Sequence, residues 1–224
     1  MMTNLFSIFD PSTNIMALNL NWMSIFLGLF FILNNYWTIP NRINIIYTLI
    51  SKALLNEFKM IMSIYTFNGN ALIFITLFFF ILYNNLLGLM PYIFTATTHM
   101  ALTLMMSLTI WITLMVCGWI NNYTHMMAHL IPTGTPLMLT WFMALIETIS
   151  NIIRPSTLAI RLMANMMAGH LLITLLSEIN NKVNYLIMMF IIMTQIILLI
   201  LELSVAFIQS YVFFILSSLY TTEI

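Results

Sequence analysis

Charged side chains that could exchange protons are concentrated in one apolar part of the sequence. Glu147, Arg154 and Arg161 are spaced seven residues apart, which places them on one face of a helix with about 20° of drift per heptad. Asn151 and Asn165 fall on the same face at steps of three and four residues. Arginine keeps its proton under all relevant conditions, whereas glutamate and histidine can gain and lose one. This combination predicts proton handling around a fixed positive charge.

A second polar series lies nearer the carboxyl end of the chain. Gln195, Glu202 and Gln209 are also seven residues apart. If the two helices pair antiparallel, one register brings His170 opposite Glu202. The same register brings Arg161 opposite Gln209, because the two pairs have nearly the same sum of residue numbers. Since His170 lies about 180° around the helix and about 13 Å along it from Arg161, the hypothesis gives two polar regions separated by the arginine.

Structural roles compete with proton transfer at several of these residues. Arg154 has two alternatives, an ion pair with Glu147 or a side chain that extends to the membrane interface. Glu202 can form a structural pair with His170. Arg161 has no acidic residue one turn away on its own helix, which favours function over structure there. The secondary candidates are Arg154, Asn151 and Gln195.

Composition sets the class of protein. The chain is 62% hydrophobic and 5% charged, which predicts an integral membrane protein. With a net charge of zero and no long basic run, it has no electrostatic basis for binding nucleic acid. The single cysteine, Cys117, is expected to be a small buried hydrophobe, and residues 1–14 lack the features of a cleaved leader. No nucleotide-binding loop or nucleophile-and-base arrangement is present, so we predict neither an enzyme nor a cofactor in this chain alone.

Apolar runs predict an all-α fold in a single membrane domain with about five membrane helices. Ordinary spans are predicted at 15–33, 71–90 and 100–120. Segments 136–177 and 185–220 would be about 63 Å and 54 Å long as continuous helices, against a hydrocarbon core of roughly 30 Å. They must therefore be strongly tilted or broken, and Pro155 is a candidate kink. The polar turn 177–184 joins them as a hairpin.

The segment 40–65 has a different pattern. Apolar residues recur there at helical spacing, at Ile45, Ile46, Leu49, Ile50, Ala53, Leu54, Phe58 and Ile61. Charge is carried by Arg42, Lys52, Glu57 and Lys59. The pattern predicts an amphipathic helix in the membrane interface, and the alternative is a helix packed on a partner subunit. Its basic residues predict the positive-inside face, and an odd number of crossings puts the termini on opposite sides.

The other histidines and charges are interpreted as structural or solvated. His125 and His129 have a spacing that could hold a metal on a helix, but they lie in a polar loop with no third ligand nearby, so no metal site is predicted. His99 is expected to be solvated in a turn. Interface or loop positions are predicted for Glu57, Lys59, Glu178 and Lys182.

The segment RPSTLAIRLMANMMAGH, residues 154–170, resembles the signature region of subunit a of the rotary proton-translocating ATP synthases. Other segments resemble that family in the same order: NLLGLMPYIFTATTH at 85–99, PTGTPLML at 132–139, IETIS at 146–150 and ELSVAFIQSYVF at 202–213. The resemblance covers essentially the whole chain and is weakest over the first 40 residues. Histidine at 170 with glutamate at 202 resembles the mitochondrial members.

The resemblance implies a role for each residue of the two polar series. Arg161 would face the essential carboxylate of a rotating ring, and Gln209 would lie beside it. A half-channel open to the matrix would include Glu147 and Asn165. A half-channel open to the intermembrane space would include His170 and Glu202. A proton entering there would neutralise a rotor carboxylate, and the neutral carboxyl group could then cross lipid. On the other side the carboxyl group would release the proton, because the cation Arg161 favours the ionised carboxylate. The same cation would block direct leakage of protons between the half-channels.

The resemblance also implies the surroundings of the chain. Its partners would be the rotor c-ring, a small mitochondrial membrane subunit, peripheral-stalk subunits and membrane lipid. The chain would be a multi-pass protein of the mitochondrial inner membrane, with its N-terminus in the intermembrane space and its C-terminus in the matrix.

Two other functions remain open from the residues alone. A subunit of another proton pump, such as a respiratory complex, would be expected to have lysine-centred helices or paired histidines within spans, and neither pattern is present. A purely structural membrane scaffold predicts that Arg161 is replaceable.

Overall fold

A computed structural model describes residues 5–13, 18–31, 39–62, 68–131, 136–180 and 184–223. Within these ranges the regular elements are helices, and no strand is present. Four of the helices are long and apolar enough to cross a membrane: Ala71–Gly88, Met100–Asn121, Thr140–Asn180 and Tyr185–Thr222. The predicted all-α membrane fold is confirmed over this part of the chain.

The first predicted span, 15–33, lies partly outside the described residues. Its described part is the apolar helical segment Leu20–Phe31, in which the short helix α1 (Ser24–Leu27) is flanked by two 3₁₀ turns. This segment alone is shorter than the roughly 20 residues that a crossing needs, so the fifth crossing stays a prediction. The Ser24 hydroxyl donates a hydrogen bond to the Phe94 carbonyl at 3.0 Å, which ties α1 to the loop between the next two spans.

Helix α2 (Arg42–Met62) packs against α3 (Asn68–Gly88) and α7 (Tyr185–Glu223). Its buried side chains are Asn44, Leu54, Phe58 and Met62. The apolar members of this set form one core with phenylalanines of α3 and with Phe214 of α7. Part of the apolar face predicted from the sequence is instead exposed, at Ile45, Ile46, Leu49 and Ile50. Helix α2 therefore packs along one edge and leaves a second apolar surface uncovered within the chain.

Helix α4 (Met100–Asn121) leads into the short helix α5 (Tyr123–His129). The placement of His125 and His129 in a polar loop was therefore wrong, because both lie on α5. Cys117 is exposed on α4, which corrects its predicted burial. An apolar position in a membrane helix can face lipid as readily as protein, so its hydrophobicity does not indicate which side it faces.

His99 begins α4 and is not simply solvated as predicted. Its ring lies between Trp22 and Phe94, with centroid distances of 5.1 Å and 5.2 Å. Its Nε2 atom is buried and has no hydrogen-bond partner in the described ranges. The imidazole therefore packs as part of an aromatic cluster that joins the 3₁₀ turn before α1 to the loop before α4.

Helices α6 (Thr140–Asn180) and α7 pack along each other. Helix α6 is continuous through Pro155 and has 41 residues, which makes it about 60 Å long at roughly 1.5 Å per residue. That is twice the thickness of the hydrocarbon core, so a helix of this length must tilt strongly to remain within a bilayer. Leu158 and Leu162 of α6 share a core with Phe213 of α7. Residues 181–183 of the predicted hairpin turn lie outside the described residues.

Candidate functional site

The contacts between α6 and α7 follow an antiparallel register. The side-chain amide of Gln209 donates a hydrogen bond to the Arg161 backbone carbonyl at 3.3 Å. Seven residues earlier on α7, Glu202 lies against Gly169, where an added Cβ would be 2.7 Å from the Glu202 Cδ atom. These contacts agree with the register predicted from residue-number sums. The register brings the polar series of the two helices together.

Arg161 lies on the exposed face of α6, near the middle of that span. The adjacent residue on α6, Ile160, is exposed as well, and so are Leu201 and Ile208 on α7. No carboxylate lies within ion-pair distance of its guanidinium among the residues that the structure describes. A cation at membrane depth normally faces a partner or a water-filled space, and the described residues provide no carboxylate partner for Arg161. Asn165 is exposed one turn further along α6.

Glu202 is the most enclosed carboxylate among these candidates, with 6% of the residue exposed. Both of its carboxylate oxygens, and Nε2 of His170, are buried without a hydrogen-bond partner in the described part of the chain. The structural pair considered for His170 and Glu202 is therefore not formed. A buried carboxylate is unfavourable unless it is protonated, hydrated or paired, so this location suits a group that binds a proton.

Glu147 and Arg154 form an ion pair, with 3.8 Å between Oε1 and Nη2. This confirms one of the two alternatives predicted for Arg154. Its guanidinium carbon also lies 5.6 Å from the ring centroid of Tyr220, a cation–π distance that connects α6 to the end of α7. Arg154 therefore contacts both Glu147 of its own helix and Tyr220 of α7.

The ion pair borders a cavity of about 620 Å³ between α4, α5 and α6. Asn151 and His129 line the same cavity, and tryptophans of α4 form part of its apolar wall. Glu147, Asn151 and Arg154 are thereby brought together, whereas Glu202 and His170 lie elsewhere along α6 and α7. Gln195 is half-buried on α7.

Sequence reasoning missed two buried positions. Gly169 provides the space that Glu202 occupies, and a glycine has no side chain that could have indicated a site. Asn85 of α3 is fully buried, and both atoms of its amide lack partners within the described ranges. The sequence could have indicated Asn85, because an asparagine within an apolar span is costly to bury unless its amide is hydrogen-bonded. Over these same ranges, no three histidine, cysteine or acidic side chains are grouped to hold a metal ion.

Comparisons with known proteins agree on one family. A family model described as ATP synthase A chain matches residues 16–222. Proteins named ATP synthase subunit a are 56% identical in Anopheles gambiae, 55% in Locusta migratoria and 54% in Drosophila melanogaster. Each alignment covers 100% of this chain and 100% of the relative.

Proposed function

Because this chain belongs to the ATP synthase A chain family, we propose that it conducts protons through two offset half-channels in the membrane sector of a rotary ATP synthase. Arg161 lies between the half-channels and faces the carboxylates of the rotor. Membership of this family rules out the alternative that the chain is a subunit of another proton pump. We assign no step of ATP synthesis or hydrolysis to this chain, which acts by coupling proton flow to rotation.

The observation that carries the proposal is the exposed guanidinium of Arg161 on a membrane-spanning helix, where the described part of the chain offers it no ion-pair partner. Gln209 holds the backbone at this position through its hydrogen bond to the Arg161 carbonyl. A passing rotor carboxylate would supply the counter-charge that the described residues lack. The attraction is strong where water is scarce, so the arginine favours the ionised carboxylate and also repels a proton moving directly between the half-channels.

Protons are loaded through the region of His170 and Glu202. The unpartnered carboxylate oxygens of Glu202 support this role, since they can accept a proton without first breaking a hydrogen bond. Asn85 is a further polar group buried without a partner in the described ranges, and we include it as a proposed hydrogen-bonding residue of the loading path. A rotor carboxylate that receives the proton becomes neutral and can rotate into lipid, where the ionised form would be strongly disfavoured.

Protons are released through the cavity beside Glu147. After nearly a full turn the carboxylate reaches this side, where Arg161 favours its ionised form and the proton passes toward Glu147. The volume of the cavity, about 620 Å³, and its lining by Glu147 and Asn151 support an aqueous path. Asn165 lies on the exposed face between Arg161 and the His170 region, in a position to hydrogen-bond water near the rotor.

The proposed location is the mitochondrial inner membrane, with the N-terminus in the intermembrane space and the C-terminus in the matrix. Arg42, Lys52 and Lys59 of α2 support the matrix assignment for that face by the positive-inside rule. The Thr221 hydroxyl contacts the Met62 sulfur at 2.9 Å, so the end of α7 and the end of α2 belong to the same face. The proposed partners are the rotor c-ring, a small mitochondrial membrane subunit and the peripheral stalk.

The test is ATP synthesis driven by an imposed proton gradient in vesicles containing the whole complex with Arg161→Gln. We expect synthesis to fall about a hundredfold or more, because the substitution removes the fixed charge from a site of low dielectric. Arg42→Gln, which removes an exposed cation at the start of α2, is the matched control and is expected to retain synthesis. A native gel establishes that each complex is assembled. Near-normal synthesis with Arg161→Gln would favour the structural scaffold instead.

A further inference from the structure

We propose that His125 and His129 are the groups through which the cavity beside Glu147 exchanges protons with the surrounding water. This inference rests on the proposed function, because it assigns the outer end of the release path. Neither histidine belongs to the polar series of α6 and α7. Both are exposed on α5, which lies between two membrane spans and therefore at a membrane face.

The two imidazoles form one hydrogen-bonded unit. Their Nε2 atoms are 3.2 Å apart, and their ring centroids are 4.3 Å apart with the planes at 62°. A hydrogen bond between these nitrogens requires one ring to donate and the other to accept. A proton that arrives at one ring can therefore be passed to its partner without either side chain moving far.

His129 connects this unit to the cavity. It lines the cavity together with Glu147, Asn151 and Arg154. The volume of about 620 Å³ is far larger than the space that one water molecule needs, so the cavity has room for water. Among the lining residues, the titratable and charged groups are His129 from α5 and the Glu147–Arg154 pair from α6, while α4 contributes Trp111, Met115 and Trp119. His129 is thus the titratable group that α5 contributes to the lining of the cavity, which Glu147 also lines.

The proton step leaves every group as it began. A proton that leaves the Glu147 carboxyl adds to a ring nitrogen of neutral His129, directly or through water, and gives an imidazolium. His129 then becomes neutral again by giving one proton to water, or to His125, which in turn releases a proton to water. Histidine suits this exchange because it is the side chain that changes charge near neutral pH. Each passage transfers one proton and uses no other reactant.

A local proton-exchanging group is most useful when free protons are scarce. With a diffusion limit of about 10¹⁰ M⁻¹s⁻¹, free protons at pH 7 reach a single site only about 10³ times per second, and at pH 8 about tenfold less often. ATP-driven pumping takes protons up through this cavity, so its rate should depend on the histidines most at alkaline pH and low buffer concentration.

The experiment compares complexes carrying His129→Gln, or His125→Gln with His129→Gln, with a Thr124→Gln control on the exposed surface of the same helix. ATP-driven proton pumping is measured in vesicles at low and high buffer concentration. We expect pumping by both histidine variants to be about tenfold slower than the control at low buffer, a smaller effect than for a fully positioned acid or base because water partly replaces the ring. Added imidazole, a diffusible proton carrier, should restore the rate.

Two results would overturn the proposal: an unchanged rate at low buffer, or a slower rate that imidazole does not restore. If the double variant does not assemble, His125→Gln alone is expected to give a smaller loss that imidazole restores. The ratio of protons pumped to ATP hydrolysed should stay unchanged in every histidine variant. Arg161→Gln measured in the same vesicles distinguishes this inference from the proposed function, because only that substitution should abolish coupling.

Discussion

Gly169 leaves the space that the Glu202 carboxylate occupies between α6 and α7. An alanine Cβ there would lie 2.7 Å from Cδ of Glu202, closer than real Cβ contacts allow, and 3.0 Å from Cγ, which is tighter than most such contacts. Because both elements are long packed helices, the carboxylate is the part that must move. Gly169 therefore positions Glu202, and its role depends on its having no side chain.

Gly169→Ala is expected to slow proton-driven ATP synthesis about tenfold or more, because displacement of a reacting group by about 1 Å costs up to about a hundredfold. Gly69→Ala is the matched control, since an added Cβ at Gly69 meets nothing within 4 Å. Alanine favours helix over glycine by about 1 kcal/mol, so weaker helix formation cannot explain a loss at position 169. Full activity of an assembled Gly169→Ala complex would contradict the positioning role. ATP synthesis in vesicles is the measurement.

At the scale of elements, the helix register was predictable and the buried faces were not. The seven-residue spacing showed which residues share a face of each helix, and matching sums of residue numbers in an antiparallel pair aligned Arg161 with Gln209. Cys117 and Ile45 show the limit, since both are apolar yet exposed. In a membrane protein the lipid and the core are both apolar, so hydrophobicity alone does not distinguish them.

The packing of α2 against the end of α7 gives a prediction at this scale. In a chain with Cys117→Ser, cysteines at positions 62 and 221 should be joined by a short bifunctional thiol reagent, because the Thr221 hydroxyl contacts the Met62 sulfur at 2.9 Å. Met60 is 84% exposed on the same helix, so Met60→Cys with Thr221→Cys should give much less product. The shift of the cross-linked chain on a denaturing gel is the measurement. Equal cross-linking of both pairs would contradict the observed contact of the Met62 side of α2 with the end of α7.

At the scale of the whole molecule, an all-α membrane fold was predictable from composition and length, and the cavity was not. The residues that line it come from α4, α5 and α6, and α5 was predicted as a loop. No local pattern indicates that three separate elements enclose a common space. Likewise, the contact of His99 with Trp22 and Phe94 depends on α1 packing beside the loop before α4.

The proposed topology predicts which positions share a membrane face. In vesicles of one orientation, a membrane-impermeant maleimide should label Ala128→Cys on α5 and Lys52→Cys on α2 from the same side. Tyr92→Cys lies in the exposed loop between α3 and α4, and it should be labelled from the other side. Each cysteine is placed in a chain with Cys117→Ser, and the unmodified Cys117→Ser chain measures background. Labelling of all three positions from one side would contradict the topology.

The exposed guanidinium of Arg161 also has a consequence for biogenesis. Before the chain joins its complex, this cation faces the membrane without a carboxylate from the described residues to balance it. Insertion scales assign an arginine at the centre of a helix an unfavourable free energy of roughly 2.5 to 3.5 kcal/mol, and in the free chain no partner subunit offsets it. The unassembled subunit is therefore less stable in lipid than the assembled one. If the rotor faces Arg161 as proposed, this difference favours an order of assembly in which the rotor is already in the membrane when the chain takes its place.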